Sequence, residues 1–513
     1  MNMANLPRSL SLAALLAFAA ASATAQDARP IAFVNARLVP VAGPVVENGT
    51  LVVRNGKIEA IGKDAVVPAG ARVVDCAGKT IMPGLVSAVS RAGLDQPQRP
   101  RDAQGARQGG RRGQPMPMPM PGGGGAQDKA AAKAIEGVYA KQPVFGELLR
   151  KGITTLSLAP RGDAFPGLGA LLRPDGKTLD ELTLDGEAFV MVGMGRDGQT
   201  KKLLKDNFAA AQKVLEARKK PPEPKPEEKK PEEPKPAEAA KTEAPKQEGP
   251  APTPNPTPTP TPNPTPTPTP TPTPKPEPKP EPTPNPQPAP QQQPQGQAPA
   301  QAAPRRQEPP KNPNHEVLAD LLDGKRRALV EIDSATEMLH WQHTFGDAAP
   351  GKEAAEAGKS PAPTFPHTLV VSGHNTQEGT IDQVLDLVKA QQPAAVLLPP
   401  TLATMPRSRL LTHPARTLHE AGVTIGFLIG SDPGTAEGTF FRLMELVRSG
   451  LPAEVALKGV TLVPAQALGV EKRTGSLEVG KDADLLVFTG DPLDPASRLE
   501  SVWLRGQQVP DTQ

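Results

Sequence analysis

The stretch Ile81-Met-Pro-Gly-Leu-Val-Ser-Ala-Val-Ser-Arg-Ala-Gly-Leu94 decides the fold. Beyond its Pro-Gly pair lies a short apolar run, one of roughly seven along the chain. The others are residues 154–159 (Thr-Thr-Leu-Ser-Leu-Ala), 188–192, 328–332, 368–372, 394–398 and 424–429. Short, β-rich runs of this kind read as strands buried on both faces. Helical stretches separate several of them. Residues 201–219 place Leu203, Leu204, Phe208, Ala211, Val214 and Leu215 at helical spacing, and 381–390, 414–421 and 439–449 are further candidates. The pattern predicts an α/β chain, a (βα)8-like TIM barrel. The alternative is an open doubly wound sheet.

Both chain ends have a different texture. Between residues 31 and 79 short apolar runs alternate with turn residues, and Asn55-Gly56 between two of them is a strong hairpin signal. Residues 474–488 form a turn and a strand, and residues 502–509 a terminal hairpin. Each segment alone has too little apolar surface to hold itself together, so the two ends are expected to form one small β-sandwich. Cys76, the single cysteine, reads as a small buried strand residue.

Two low-complexity tracts interrupt the barrel. Residues 96–128 are rich in Gly, Arg, Pro and Met. Residues 220–312 pass from Lys/Glu/Pro repeats through a Thr-Pro alternation to a Gln/Pro/Ala run. Such tracts cannot bury a core and are expected to be extended. The longer one reads as a tolerated surface insertion, because loop length adds little closure entropy. Its functional reading is attachment to cell-wall or envelope polymers, or a stalk for O-glycosylation. The predicted organisation therefore begins with a signal peptide (1–25), the N-terminal half of the sandwich (26–82) and the barrel start (83–95). An insertion (96–128), a barrel segment (129–219), the second insertion (220–312) and the rest of the barrel (313–473) follow. The C-terminal half of the sandwich (474–511) closes the chain.

The N-terminus carries Arg8, an apolar run over residues 10–21 and the small-x-small site Ala23-Thr24-Ala25. The run is shorter than the about 20 residues a membrane span needs, so export to a periplasm or beyond is expected. Net charge is +3, from 58 basic and 55 acidic residues, which argues against a nucleic-acid partner. The expected partner is a small molecule or a wall fragment.

Longer frames resemble the amidohydrolase superfamily, nearest its imidazolonepropionase-like branch. They are residues 31–39, 48–62, 67–71 and 78–85 at one end, and 460–469, 475–487 and 490–493 at the other. In that family the Pro-Gly-Leu frame leads into a His-x-His pair that holds a catalytic metal. Here the corresponding positions carry Val89 and Arg91, and Ser87 stands where Asp is usual. Neither an aliphatic side chain nor a guanidinium can ligate a divalent ion. The resemblance places Asp333 where the fifth-strand His would be, His374 at the sixth-strand His, and Asp432 at the general-base Asp. Asp333 and His374 are thus the candidate metal ligands, Asp432 the candidate catalytic residue and Arg91 a candidate ligand-binding residue. The expectation is no metal, with Arg91 paired to Asp432 or Asp333. A single zinc, iron or manganese ion is the alternative. Arg161 to Ala170 resembles a glycine-rich loop near the active mouth, where Gly167 and Gly169 would let backbone approach a ligand or serve a tight turn. His340 and His343 share a helix face and read as surface or packing residues.

Overall fold

The computed structural model describes residues 29–94, 126–219, 311–346, 365–373, 378–405 and 407–511. The expected leader, most of both low-complexity tracts and His374 lie outside the described residues.

The chain first lays down β1 (Ile31–Leu38), β2 (Val46–Arg54), β3 (Lys57–Gly62), β4 (Arg72–Asp75) and β5 (Thr80–Pro83). It then builds β6 (Leu85–Ser90), β7 (Gln127–Asp128), β8 (Ile153–Leu158), β9 (Ala164–Leu172), β10 (Thr183–Gly193), β11 (Ala328–Glu331), β12 (His367–Val370) and β13 (Val396–Leu398). A small hairpin, β14 (Ala403–Thr404) and β15 (Leu411–Thr412), precedes β16 (Ile425–Phe427). The final strands, β17 (Leu485–Phe488), β18 (Leu499–Leu504) and β19 (Gln507–Gln508), rejoin the first five in one sheet of order β19-β18-β17-β5-β1-β2-β3. The two chain ends therefore share a sheet, as their weak individual cores require.

That sheet forks at β1. One edge of β1 pairs with β2, while the other pairs first with β4 and then with β5. The arm through β5 and β17 turns back, so Trp503 on β18 stands edge-on to Phe33 on β1 at 4.9 Å. Phe33, Leu51, Ile58, Ile81, Leu485 and Trp503 make the small core. Cys76 is buried in it, and burial pushes its thiol up to about 11, which suits a packing residue and not a nucleophile.

The barrel sheet has the order β16-β13-β12-β11-β10-β9-β8-β6. The seven apolar runs read from the sequence run in one direction; the eighth strand, β9, is antiparallel to both of its neighbours. The gap between β16 and β6 is bridged by residues 459–460. Their carbonyls accept bonds from Phe427 N at 2.7 Å and Val86 N at 3.0 Å. Inward residues Val86, Ala88, Leu171, Phe189, Met191, Leu329, Val370 and Leu397 fill the interior, and a larger apolar shell packs outside against the helices.

β9 corrects the glycine-rich loop reading. All nine of its residues are buried. A Cβ on Gly169 would lie 2.0 Å from the Phe189 ring, and one on Gly167 would lie 2.5 Å from the Ala132 carbonyl oxygen. These glycines admit neighbouring protein, not a ligand. Residues 127–128, assigned above to the first insertion, form β7 and pair with β9.

Arg173, just beyond β9, fastens the barrel to the sandwich. Its Nη2 lies 2.6 Å from Asp482 Oδ2 and 3.7 Å from Asp484 Oδ2, with all three side chains nearly inaccessible. Arg473 and Lys57 also reach Asp482, at 3.1 and 3.3 Å. Burial raises the Asp484 carboxyl to about 6 against the pull of Arg173, whereas for Asp482 the arginine bonds outweigh burial and lower it. Removing one member of a buried ion cluster strands the remaining charge. Arg173→Met should therefore lower unfolding free energy by about 3–5 kcal/mol at neutral pH, read from urea denaturation. A loss within about 0.5 kcal/mol of zero would show that the cluster does not hold barrel and sandwich together.

Candidate functional site at the barrel mouth

The C-terminal ends of the parallel barrel strands carry Arg91 after β6, Glu331 at the end of β11 with Asp333 beyond it, Ser372 after β12, and Ser431 with Asp432 after β16. Such strand ends are where barrels of this kind carry their chemistry.

Arg91 owes its placement to a bulge. β6 and β8 pair Ser87 with Leu156 and Ser90 with Leu158, so β6 carries one extra residue. A bulge re-aims the side chains that follow it. Ala88 and Val89 both contact the interior cluster, and Arg91 turns toward β11. Its Nη2 lies 3.9 Å from Glu331 Oε1, and its Nε is buried without a hydrogen-bond partner. Its backbone N–H donates to Ser431 Oγ at 3.4 Å, joining the ends of β6 and β16.

Glu331 is the residue that the sequence reading misses. Burial, offset by Arg91 and reinforced by Asp333, holds its carboxyl above the usual range. A signal is available. Side chains two apart in a strand share a face, and Leu329 faces the interior, so Glu331 and Asp333 follow it toward the mouth.

Asp333 accepts two bonds on one oxygen, from Ser372 N–H at 2.9 Å and Ser372 O–H at 2.6 Å. Its own N–H donates to Glu337 Oε2 at 2.8 Å. Glu337, its carboxyl raised chiefly by burial, takes Arg196 Nε at 2.9 Å, and Arg196 also reaches Glu378. Asp333 is thus a strut between β11 and β12.

Asp432 stands apart. It is exposed and caps the helix Pro433–Glu437, its Oδ1 accepting Thr435 N–H at 3.0 Å and its Oδ2 accepting the Thr435 hydroxyl. The Thr435 side-chain bond, then the backbone bond, lowers its carboxyl. Asp followed by Pro at the first helical position and Thr three residues on is a helix-start signature. The predicted pairing of Arg91 with Asp432 or Asp333 is corrected: Arg91 faces Glu331, because the other two carboxylates are already engaged by hydrogen-bond donors. Of the trio Asp333, His374 and Asp432, His374 lies outside the described residues.

The described donor set does not fit a divalent cation. Among the described residues no three His, Cys, Asp or Glu side chains converge as ligands, and the first-strand positions offer an aliphatic group and a guanidinium. His340 and His343 lie on the helix Ala335–Gly346, half-buried and exposed respectively, as a packing and a surface residue would.

A family model described as "Amidohydrolase family" matches residues 403–509. The imidazolonepropionase of Pseudomonas fluorescens is 42% identical over 97 residues, covering 18% of this chain and 23% of the relative. That of Sphingopyxis alaskensis is 32% identical over 133 residues, covering 25% and 32%. The chain thus spans less than a third of the length of either relative. A solved amidohydrolase from Thermotoga maritima has a TM-score of 0.59 at 20% identity, over 94% of this chain and 100% of that one. At that identity the likeness speaks for the fold.

Two measurements check this geometry. Asp432→Ala should cost about 1 kcal/mol in urea denaturation, the value of a lost cap, while Asp432→Asn should be nearly neutral. Equal losses in both variants would rule out a capping role. Glu331 supplies the second. A carboxyl raised in the folded state binds its proton more tightly there than in the unfolded chain. Its contribution to stability is therefore present below the unfolded value, near 4.5, and is lost as pH rises through the folded one. Arg91→Met removes the counter-charge, so its urea midpoint should fall more steeply than that of the native chain as pH rises above about 4.5. Parallel pH profiles would mean that Arg91 and Glu331 do not interact.

Proposed function

With the chain a member of the amidohydrolase superfamily, we propose that it is an exported binding protein that does not carry out metal-dependent hydrolysis. Its barrel mouth would take a small amide-bearing molecule or wall fragment with a free carboxylate. One observation carries the reading: Arg91 reaches into the mouth from the position where the resemblance calls for a metal-binding histidine. At an effective dielectric of 20 a positive charge about 4 Å away costs a cation about 4 kcal/mol for each unit of its charge. The same guanidinium suits a carboxylate, which a guanidinium can grip through two parallel N–H bonds. Export is supported by Arg8, the apolar run after it and the Ala23-Thr24-Ala25 site.

The second reading is a hydrolase of C–N bonds in amides or cyclic amides. The likeness to imidazolonepropionases and the inward placement of Asp333 favour it. There His374 and Asp333 would hold one metal ion, and Asp432 would act as general base. The lowered carboxyl of Asp432 counts against the last role, since a base works best with a pKa near the operating pH.

Metal analysis, turnover assays and calorimetry on the full chain separate the two, with N-acyl amino acids and hydantoins as probes. The binding reading expects no stoichiometric metal and no turnover. It also expects saturable binding of an N-acyl amino acid, weakened about tenfold or more in Arg91→Met. Stoichiometric zinc or iron that is lost in His374→Ala, together with cleavage of a probe, would replace it with the hydrolase.

A further inference from the structure

The sandwich carries a cavity of about 610 Å³ that the barrel does not touch. Its volume lies in the range of small-molecule sites. Two hairpin tips from opposite ends of the chain bracket it. Asn55-Gly56 turns β2 into β3 and Arg505-Gly506 turns β18 into β19, each pair with both φ positive, as the tightest hairpin turns require. The tips lock together. A Cβ on Gly56 would lie 3.1 Å from Arg505 Cβ, and one on Gly506 would lie 2.7 Å from Val53 Cγ1.

The charge of this cleft has one sign. Arg29, Arg72 and Arg505 line it, and no acidic residue is among the described residues that do. Arg72 is held over the Trp503 ring, 5.7 Å from its centroid, so its guanidinium is positioned. Asp484 lies behind the Arg505 turn; it accepts the Arg505 backbone N–H at 2.9 Å, is buried, and faces Arg173. Asn55, Gln507 and Gln508 add neutral hydrogen-bonding amides around the rim.

Arg505 is the informative residue. Its φ of +48° places a long side chain in the left-handed region, where asparagine and glycine are at ease and other residues cost about 1–2 kcal/mol. The equivalent turn at residues 55–56 uses asparagine. Local physics therefore disfavours arginine at 505, yet an arginine stands there and lines the cleft. Strained residues of this kind gather at binding sites.

We propose that this cleft is a second ligand site, for a small molecule bearing two or more phosphate or carboxylate groups, gripped by Arg72 and Arg505. It is independent of the proposed function of the barrel mouth.

Calorimetry on the full chain with inorganic pyrophosphate and with citrate tests it. At least one should bind saturably with a dissociation constant below about 1 mM at low salt and weaken as salt rises. Tighter pyrophosphate points to a phosphorylated ligand, and tighter citrate to a polycarboxylate. Arg72→Ala combined with Arg505→Asn should weaken binding about tenfold or more. Arg505→Asn alone should weaken binding while raising Tm, since asparagine suits the turn; a purely structural arginine would not separate the two readouts. Arg91→Met should leave this binding unchanged. No saturable binding of either probe below about 1 mM, or equal binding by the double variant, overturns the site.

Discussion

The buried contact between Arg173 and the Asp482–Asp484 pair is the constraint on which the architecture rests. Arg173 lies at the end of β9, the strand that runs against the barrel, and the two aspartates lead into β17, the strand that carries the C-terminus back into the first sheet. An unpaired charge at these depths would be costly, so the barrel and the sandwich stay in contact. Asp484 has a second duty. It accepts the N–H of the Arg505 turn, so the cluster that joins barrel to sandwich also shapes the basic cleft.

The barrel mouth shows the same economy with different partners. Each carboxylate that might have served chemistry is held by something ordinary. Asp333 ties β11 to β12 through Ser372, Asp432 caps a helix, and Glu337 anchors Arg196. Glu331 is left to meet Arg91, across 3.9 Å. At that distance the two meet by charge and not through a hydrogen bond. The β6 bulge makes this possible, since without the extra residue a different side chain would face the interior.

Much of this is legible in the chain itself. Seven strand cores announce themselves as short, mostly apolar, β-rich runs, and Asn55-Gly56 announces its hairpin. β9 escapes because three glycines in a stretch of ten resemble a loop, and only the Phe189 ring pressed against Gly169 explains one of them. At the mouth, position alone singles out Val89 and Arg91, whereas the partner of Arg91 stays hidden. Strand alternation from Leu329 exposes Glu331 once it is applied, and the Asp-Pro-Gly-Thr sequence marks Asp432 as a cap.

The sequence by itself determined the local matters: where most strands and helices form and which turns are tight. These follow from propensities and periodicities that act over a few residues. The tertiary structure alone decided which charges meet. Arg173 and Asp482 are 309 residues apart in the chain, and Arg72 reaches Trp503 only because the two chain ends share one sheet. Electrostatic and hydrogen-bond partners are chosen by distance in space and by exclusion of water, and neither exists until the sheets have closed.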